Sequence, residues 1–246
     1  MYKYIRSVLA RRTFAHKLRN KAMNTFSSYE IFNSIREKQE QNRQTEKRPH
    51  EVLYFHKVDD PYSHLTVQYL DKLKDSYDIV LRPILVGEEN PETLHEPSLY
   101  NKYCLEDVRR IATYYQIEFE ADSYPSKNLV DLANSILSSV EKENFNNIAR
   151  DVSSALWNNE EDKLKEISSK YSASEDEVNK KLSEGNEIRN ECDYYFGSAF
   201  YYEKELYWGV DRLNHLETRL SELGAKKMLS NELICNLNTS APKELI

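Results

Sequence analysis

The sequence predicts an α/β domain with a helical insertion, preceded by a helical arm. Three observations carry that expectation. "EVLYFHKV" and "DIVLRPILVG" are strand-like runs that enclose one helical pattern. A long series of amphipathic patterns follows, from Glu92 to about Arg189. The chain then returns to extended runs, "YYFGSAFYY" and "KELYWG", before a last helical pattern. The order is β-α-β, helices, β-β-α, which a mixed sheet with helices on both faces accommodates.

Taken in order, residues 1–49 form the arm and linker. Ile5, Leu9, Phe14, Leu18, Ala22, Phe26, Tyr29 and Phe32 recur at a spacing of mostly four, as in one or two amphipathic helices. The polar run "REKQEQNRQTEKRPH" closes the arm, and a new unit starts near His50. In "DPYSHLTVQYLDKLKDSY", Leu65, Tyr69, Leu70 and Leu73 share one face of what reads as a single helix. Pro83 inside the second strand marks an edge or a bulge, because proline has no N–H for the ladder. "LEDVRRIATYYQI", "NLVDLANSILSSVEK", "NIARDVSSALWN" and "EDKLKEISSKYS" are helical by spacing. "SASEDEVNKKLSEGNEI" adds another, with Ser174 and Glu177 at capping-box spacing and Gly185 as a stop. "VDRLNHLETRLSELG" is a final helix ended by Gly224. The expected organisation is a domain over 50–225 with its insertion at about 92–190, and a short tail over 226–246.

Composition removes several function classes. The chain has 246 residues, 39% hydrophobic and 30% charged, enough for one substantial core. Its five glycines form no G-x-G-x-x-G or P-loop pattern. No apolar run approaches the ~20 residues of a membrane span, and the N-terminus lacks the apolar core and cleavage site of a secretory signal. A cytoplasmic protein is therefore expected. Cys104, Cys192 and Cys235 form no C-x-x-C pair, so disulfide frameworks and zinc fingers are disfavoured.

Charge divides the chain. Residues 1–50 hold 12 Lys and Arg against 4 Asp and Glu, and the remainder holds 22 against 37. A basic arm of this kind meets nucleic acid or anionic lipid, through Arg11, Arg12, Lys17, Arg19 and Lys21, or docks on its own acidic body. The last needs no extra partner and is the simpler expectation. Eighteen tyrosines raise the question of base stacking, but basic residues rarely interleave with them and the body is acidic. Core and groove lining is expected of them, and nucleic acid is disfavoured as a partner.

Three stretches resemble a known family. "YFHKVDDPYSHL", "VLRPILVG" and "FYYEKELYWGVDRLNHLETRL" are similar, in order and separation, to segments of DsbA-type thioredoxin-fold proteins. Among these, the resemblance is nearest to 2-hydroxychromene-2-carboxylate isomerases and kappa-class glutathione transferases. It covers roughly residues 50 to 224, leaves the arm outside, and implies a thioredoxin-like fold.

The resemblance also implies where a site would lie, and there the residues depart from the family. Redox members carry C-P-x-C at the strand-to-helix turn, with a thiolate favoured by the helix N-terminus. This chain has Asp60, Pro61, Tyr62 and Ser63, so dithiol–disulfide exchange by that route is excluded. Glutathione-using members place a serine at the first position to steady the glutathione thiolate. A carboxylate ~4 Å from a thiolate repels it by ~4 kcal/mol at an effective dielectric of ~20, which raises the thiol pKa by ~3 units. Asp60 therefore opposes what that serine does. The stretch "YYFGSAF" also lacks the family's cis-proline, and a trans, differently shaped loop is expected at Gly197 and Ser198. Asp211 matches the family's aspartate for the glutathione amino group, with Arg212 beside it. An acidic residue in a first helical turn is equally favoured for the helix alone.

Asp60 also has a sufficient local role, since Asp is among the best N-caps and Pro61 suits the first helical position. His56, Asp59, Asp60 and His64 include metal-ligand types, but at no standard spacing. The leading expectation is a non-redox DsbA-like protein, a catalytically degenerate binding or scaffold module for a small thiol or a protein partner, with oligomers allowed. The rival is a glutathione-dependent isomerase or transferase in which Asp60 and Ser63 act catalytically, while Gly197, Ser198, Asp211 and Arg212 hold the glutathione.

Overall fold

The computed structural model describes residues 16–21, 23, 24, 28–87 and 96–227. The chain divides into two compact units, Met1–Pro49 and His50–Ile246. Most of the proposed tail, 228–246, and Cys235 with it, lie outside the described residues.

In the first unit, residues 16–21, 23 and 24 are helical, and helix α1 runs Tyr29–Thr45. Ser28 caps α1 by accepting the Ile31 N–H at 3.4 Å, an N-cap role its hydroxyl suits.

The second unit is built on a four-stranded sheet of order β2-β1-β3-β4. Strand β1 (Glu51–His56) runs parallel to β2 (Val80–Leu85) and antiparallel to β3 (Ala199–Tyr202), which pairs with β4 (Glu205–Trp208). Pro83 does sit on an edge strand, opposite Tyr54. The β3–β4 hairpin turns at Glu203 and Lys204, whose φ values of 44° and 69° fit the primed turn that matches strand twist.

The pattern read as one helix after β1 is two, α2 (Pro61–Val67) and α3 (Leu70–Ser76). The ladder breaks at Tyr69, whose N–H bonds to the Thr66 carbonyl, three residues back. Its phenol donates to the Tyr115 carbonyl at 2.6 Å and ties this corner to the end of the next helix.

Among the described residues, five helices follow β2 before β3: α4 (Pro97–Tyr114), α5 (Lys127–Ser139), α6 (Phe145–Trp157), α7 (Glu161–Ser168) and α8 (Glu175–Glu191). Ser174 and Glu177 form the expected capping box of α8. Gly185 does not stop this helix. A Cβ there would lie 1.9 Å from the Leu85 carbonyl oxygen, so its lack of a side chain lets α8 close onto the end of β2. A 3-10 turn (Val210–Arg212) leads from β4 into α9 (Leu213–Glu222), which ends, as expected, at Gly224 with φ 75°.

Strand alternation sorts the core. Val52 and Tyr54 point to one face, packed with Leu65, Leu73, Phe200 and Leu216 in a cluster that continues into the helical block through Val108, Ile136, Val152 and Leu156. Phe55, Ile84 and Ala199 point to the other, under Ile188 of α8 and its C-cap Cys192.

Candidate active-site turn

The turn between β1 and α2 is fixed by Asp60. With φ −95° and ψ 117° it is the extended N-cap of α2, followed by Pro61 at the first helical position. One carboxylate oxygen, Oδ1, accepts the Tyr62 N–H at 3.2 Å. The other accepts the Ser63 N–H at 3.0 Å and the Ser63 hydroxyl at 2.7 Å. Ser63 Oγ in turn accepts the Lys57 N–H at 3.3 Å. The orphan amides that make a helix N-terminus an anion site are thus taken by a side chain of the protein itself. Asp59 beside it pairs with Lys57 at 3.4 Å.

The charge of Asp60 is felt by its neighbours. Burial, then the Asp60 carboxylate, hold the Tyr54 phenol well above the usual range. Burial first, opposed by a Tyr100 hydrogen bond and reinforced by Asp60, pushes the Cys104 thiol up to about 11. Tyr124 is raised by burial, then by Cys104, Asp60 and Asp59. In all three groups a carboxylate at this turn adds to burial in disfavouring loss of the proton.

The loop before β3 closes on the turn. A Cβ on Gly197 would lie 2.8 Å from Lys57 Cβ and 2.9 Å from Asp60 Oδ2, so only a glycine lets this backbone lie against the carboxylate. Ser198 is buried at φ 54°, shares a 2.7 Å hydrogen bond with the Thr66 hydroxyl, and accepts the Gly209 N–H at 2.6 Å. Every peptide bond among the described residues is trans. Asp60, Ser63, Gly197 and Ser198 therefore meet in one place. The side chains of Asp211 and Arg212 are exposed and pair with each other at 3.1 Å, and this turn joins the cluster through its backbone, Arg212 N–H to the Gly209 carbonyl and Gly209 N–H to that of Ser198.

Sequence reading missed the aromatic frame of the turn. Tyr62 lies 5.8 Å from Trp208, Trp208 stacks on Phe196 at 5.6 Å, and Phe196 stacks on Tyr100 at 5.5 Å. Tyr62 also donates to Asp107 at 2.7 Å. The runs "YYFG" before the hairpin and "LYWG" at its end are the available signal. On another side, Lys57, Val58 and Asp59 form one wall of a cleft of about 820 Å³, closed by Val86 and Gly87 and by α5 and α8.

The two histidines of the imagined metal set point into the core. His56 is buried, with Nδ1 3.1 Å from the Tyr54 hydroxyl and Nε2 without a hydrogen-bond partner. His64 is buried with Nδ1 3.0 Å from Ser153 Oγ. Both are held neutral, His56 at about 3 and His64 at about 4, chiefly by burial. Among the described residues no group of three or more His, Cys, Asp and Glu could hold a metal ion.

A parallel β1–β2 pair, an antiparallel β3–β4 hairpin beside β1, and a helical block inserted between β2 and β3 define a DsbA-like thioredoxin fold. The solved structure of a selenomethionine 2-hydroxychromene-2-carboxylate isomerase is similar in fold, with a TM-score of 0.51 at 19% sequence identity, over 71% of this chain and 96% of that one. No protein-family model and no curated protein matches the chain. No helix among the described residues is long and apolar enough to cross a membrane.

Proposed function

We propose that the chain is a non-redox DsbA-like protein whose strand-to-helix turn has exchanged catalysis for structure, leaving a binding or scaffold module. One observation carries this reading. The Asp60 carboxylate accepts both free amides at the start of α2 and the Ser63 hydroxyl, the donors that an activated thiolate or bound anion would need. Its charge works in the same direction, because a thiolate against it would be repelled. Cys104, a thiol that feels the Asp60 charge, is buried and raised to about 11, and does not replace a nucleophile. Free Cys104 and Cys192 suit a reducing compartment, and we place the protein in the cytoplasm. Its partner is accordingly a protein, the site for a small thiol being filled by Asp60.

Activity tests this directly. Incubation with glutathione and an electrophilic or cis–trans isomerisable aromatic substrate is expected to give no rate above the uncatalysed reaction. A glutathione-dependent rate that falls in Asp60→Asn would replace this reading with an isomerase or transferase using Asp60 as acid or base. The cap itself predicts stabilities. Asp60→Ala is expected to lower unfolding free energy by about 1 kcal/mol, and Asp60→Ser by only a few tenths, since serine also caps. Urea denaturation of the three proteins checks the order.

A further inference from the structure

We propose that the Met1–Pro49 unit is an anchor for the surface of an anionic lipid bilayer. Residues 1–29 contain seven Lys and Arg and no Asp or Glu. Among them, Lys17, Arg19 and Lys21 lie exposed on a helical stretch. Lys17 and Lys21 also line a shallow concavity with Asn20, Asn24 and Ser28, a set of hydrogen-bond donors sharing one space with a single carboxylate, Glu30. Ammonium, carboxamide and hydroxyl groups of this kind suit a phosphate headgroup.

Charge alone would serve nucleic acid equally well. The apolar side chains of the same unit favour lipid. Leu18 is 59% exposed, Met23 61%, Tyr29 75%, Phe32 39% and Ile35 51%. Tyr29, Phe32 and Ile35 fall three residues apart on α1, within one arc of about 120° of its surface. A phosphate backbone offers such a stripe nothing to pack on, whereas the headgroup–acyl boundary does. Arg36 lies over the Phe32 ring, 4.1 Å from its centroid, so a cation borders the stripe as expected of a side chain that reaches back to headgroups. Lys17, Arg19 and Lys21 supply the charge and Tyr29, Phe32 and Ile35 the apolar stripe of an anchor that lies along an interface.

The test uses the full chain in co-sedimentation with vesicles of phosphatidylcholine alone or with one third phosphatidylglycerol. Binding is expected only to the anionic vesicles, and about tenfold weaker at 500 mM than at 50 mM salt. Charge reversal at Lys17, Arg19 and Lys21 together is expected to weaken it by at least about 100-fold. Phe32→Ser with Ile35→Ser, both exposed, is expected to weaken it by about tenfold while leaving the net charge unchanged. Circular dichroism of each variant shows that the fold is retained. No binding to anionic vesicles, binding that the Phe32 and Ile35 changes leave untouched, or tighter binding to duplex DNA than to vesicles would each overturn the proposal.

Discussion

Gly185→Ala is expected to prevent stable folding. The added Cβ would sit 1.9 Å from the Leu85 carbonyl oxygen and 3.0 Å from its carbon, and the obstacle is backbone at the end of a paired strand, not a flexible side chain. Relief requires α8 to move off β2 and open the packing of Ile188 and Cys192 on Phe55 and Ile84. Overpacking a core costs about 1–3 kcal/mol when side chains can yield; here they cannot, and a loss of about 3 kcal/mol or more is expected. Gly87→Ala is the control. Its Cβ would meet Asn186 Nδ2 at 3.4 Å and Leu182 Cβ at 3.6 Å, ordinary contacts, and a change within about 1 kcal/mol is expected. Soluble yield and urea midpoints distinguish the two, and equal stabilities would mean that α8 does not depend on this contact.

Mild acid is expected to have the second large effect. His56 is held neutral down to about 3 by burial and then by its neighbour His64, and His64 down to about 4 by burial, against hydrogen bonds to the backbone at Glu118 and Ser153 that pull the other way. In an unfolded chain both titrate near 6.5. Above that pH both states are neutral and the full stability is present. Below it the unfolded chain takes up protons that the folded chain refuses, so stability falls as pH drops from about 6.5 towards 4 and then 3. Two such groups together cost on the order of 5 kcal/mol between pH 7 and pH 4.5. Replacing both by leucine lowers stability at pH 7, because Ser153 loses its partner, but flattens the slope below pH 6.5. Urea midpoints measured every half pH unit test this. A slope unaltered by the double substitution would place the acid sensitivity elsewhere.

Local chemistry decided what could be read from the sequence. Asp60 as a cap followed from Asp-Pro ahead of an apolar pattern, and Ser174 with Glu177 from their spacing, because both are contacts within one turn. Two glycines were read alike as helix stops, and only Gly224 is one. What distinguishes Gly185 is the Leu85 carbonyl a hundred residues earlier in the chain, and a helical pattern holds no trace of it. The break at Tyr69 is hidden for the same reason, since its phenol is committed to Tyr115, the C-cap of another helix. The aromatic frame of Tyr62, Tyr100, Phe196 and Trp208 comes from four segments, so no spacing revealed it. The proximity of Gly197 and Ser198 to Asp60 was expected only through family resemblance, and the contact of Gly197 with the carboxylate gives it a physical basis. Asp211 matched a family position, yet the partner it takes is its chain neighbour Arg212.

The central claim, that Asp60 fills the place where a thiolate would otherwise be steadied, is tested most directly by isothermal titration with glutathione. The wild type, Asp60→Ser and Asp211→Ala are compared at one pH near neutrality. The account predicts no measurable binding by the wild type or Asp211→Ala, and binding that emerges in Asp60→Ser once the helix N-terminus is free of its own carboxylate. Binding by the wild type that weakens in Asp211→Ala would contradict it.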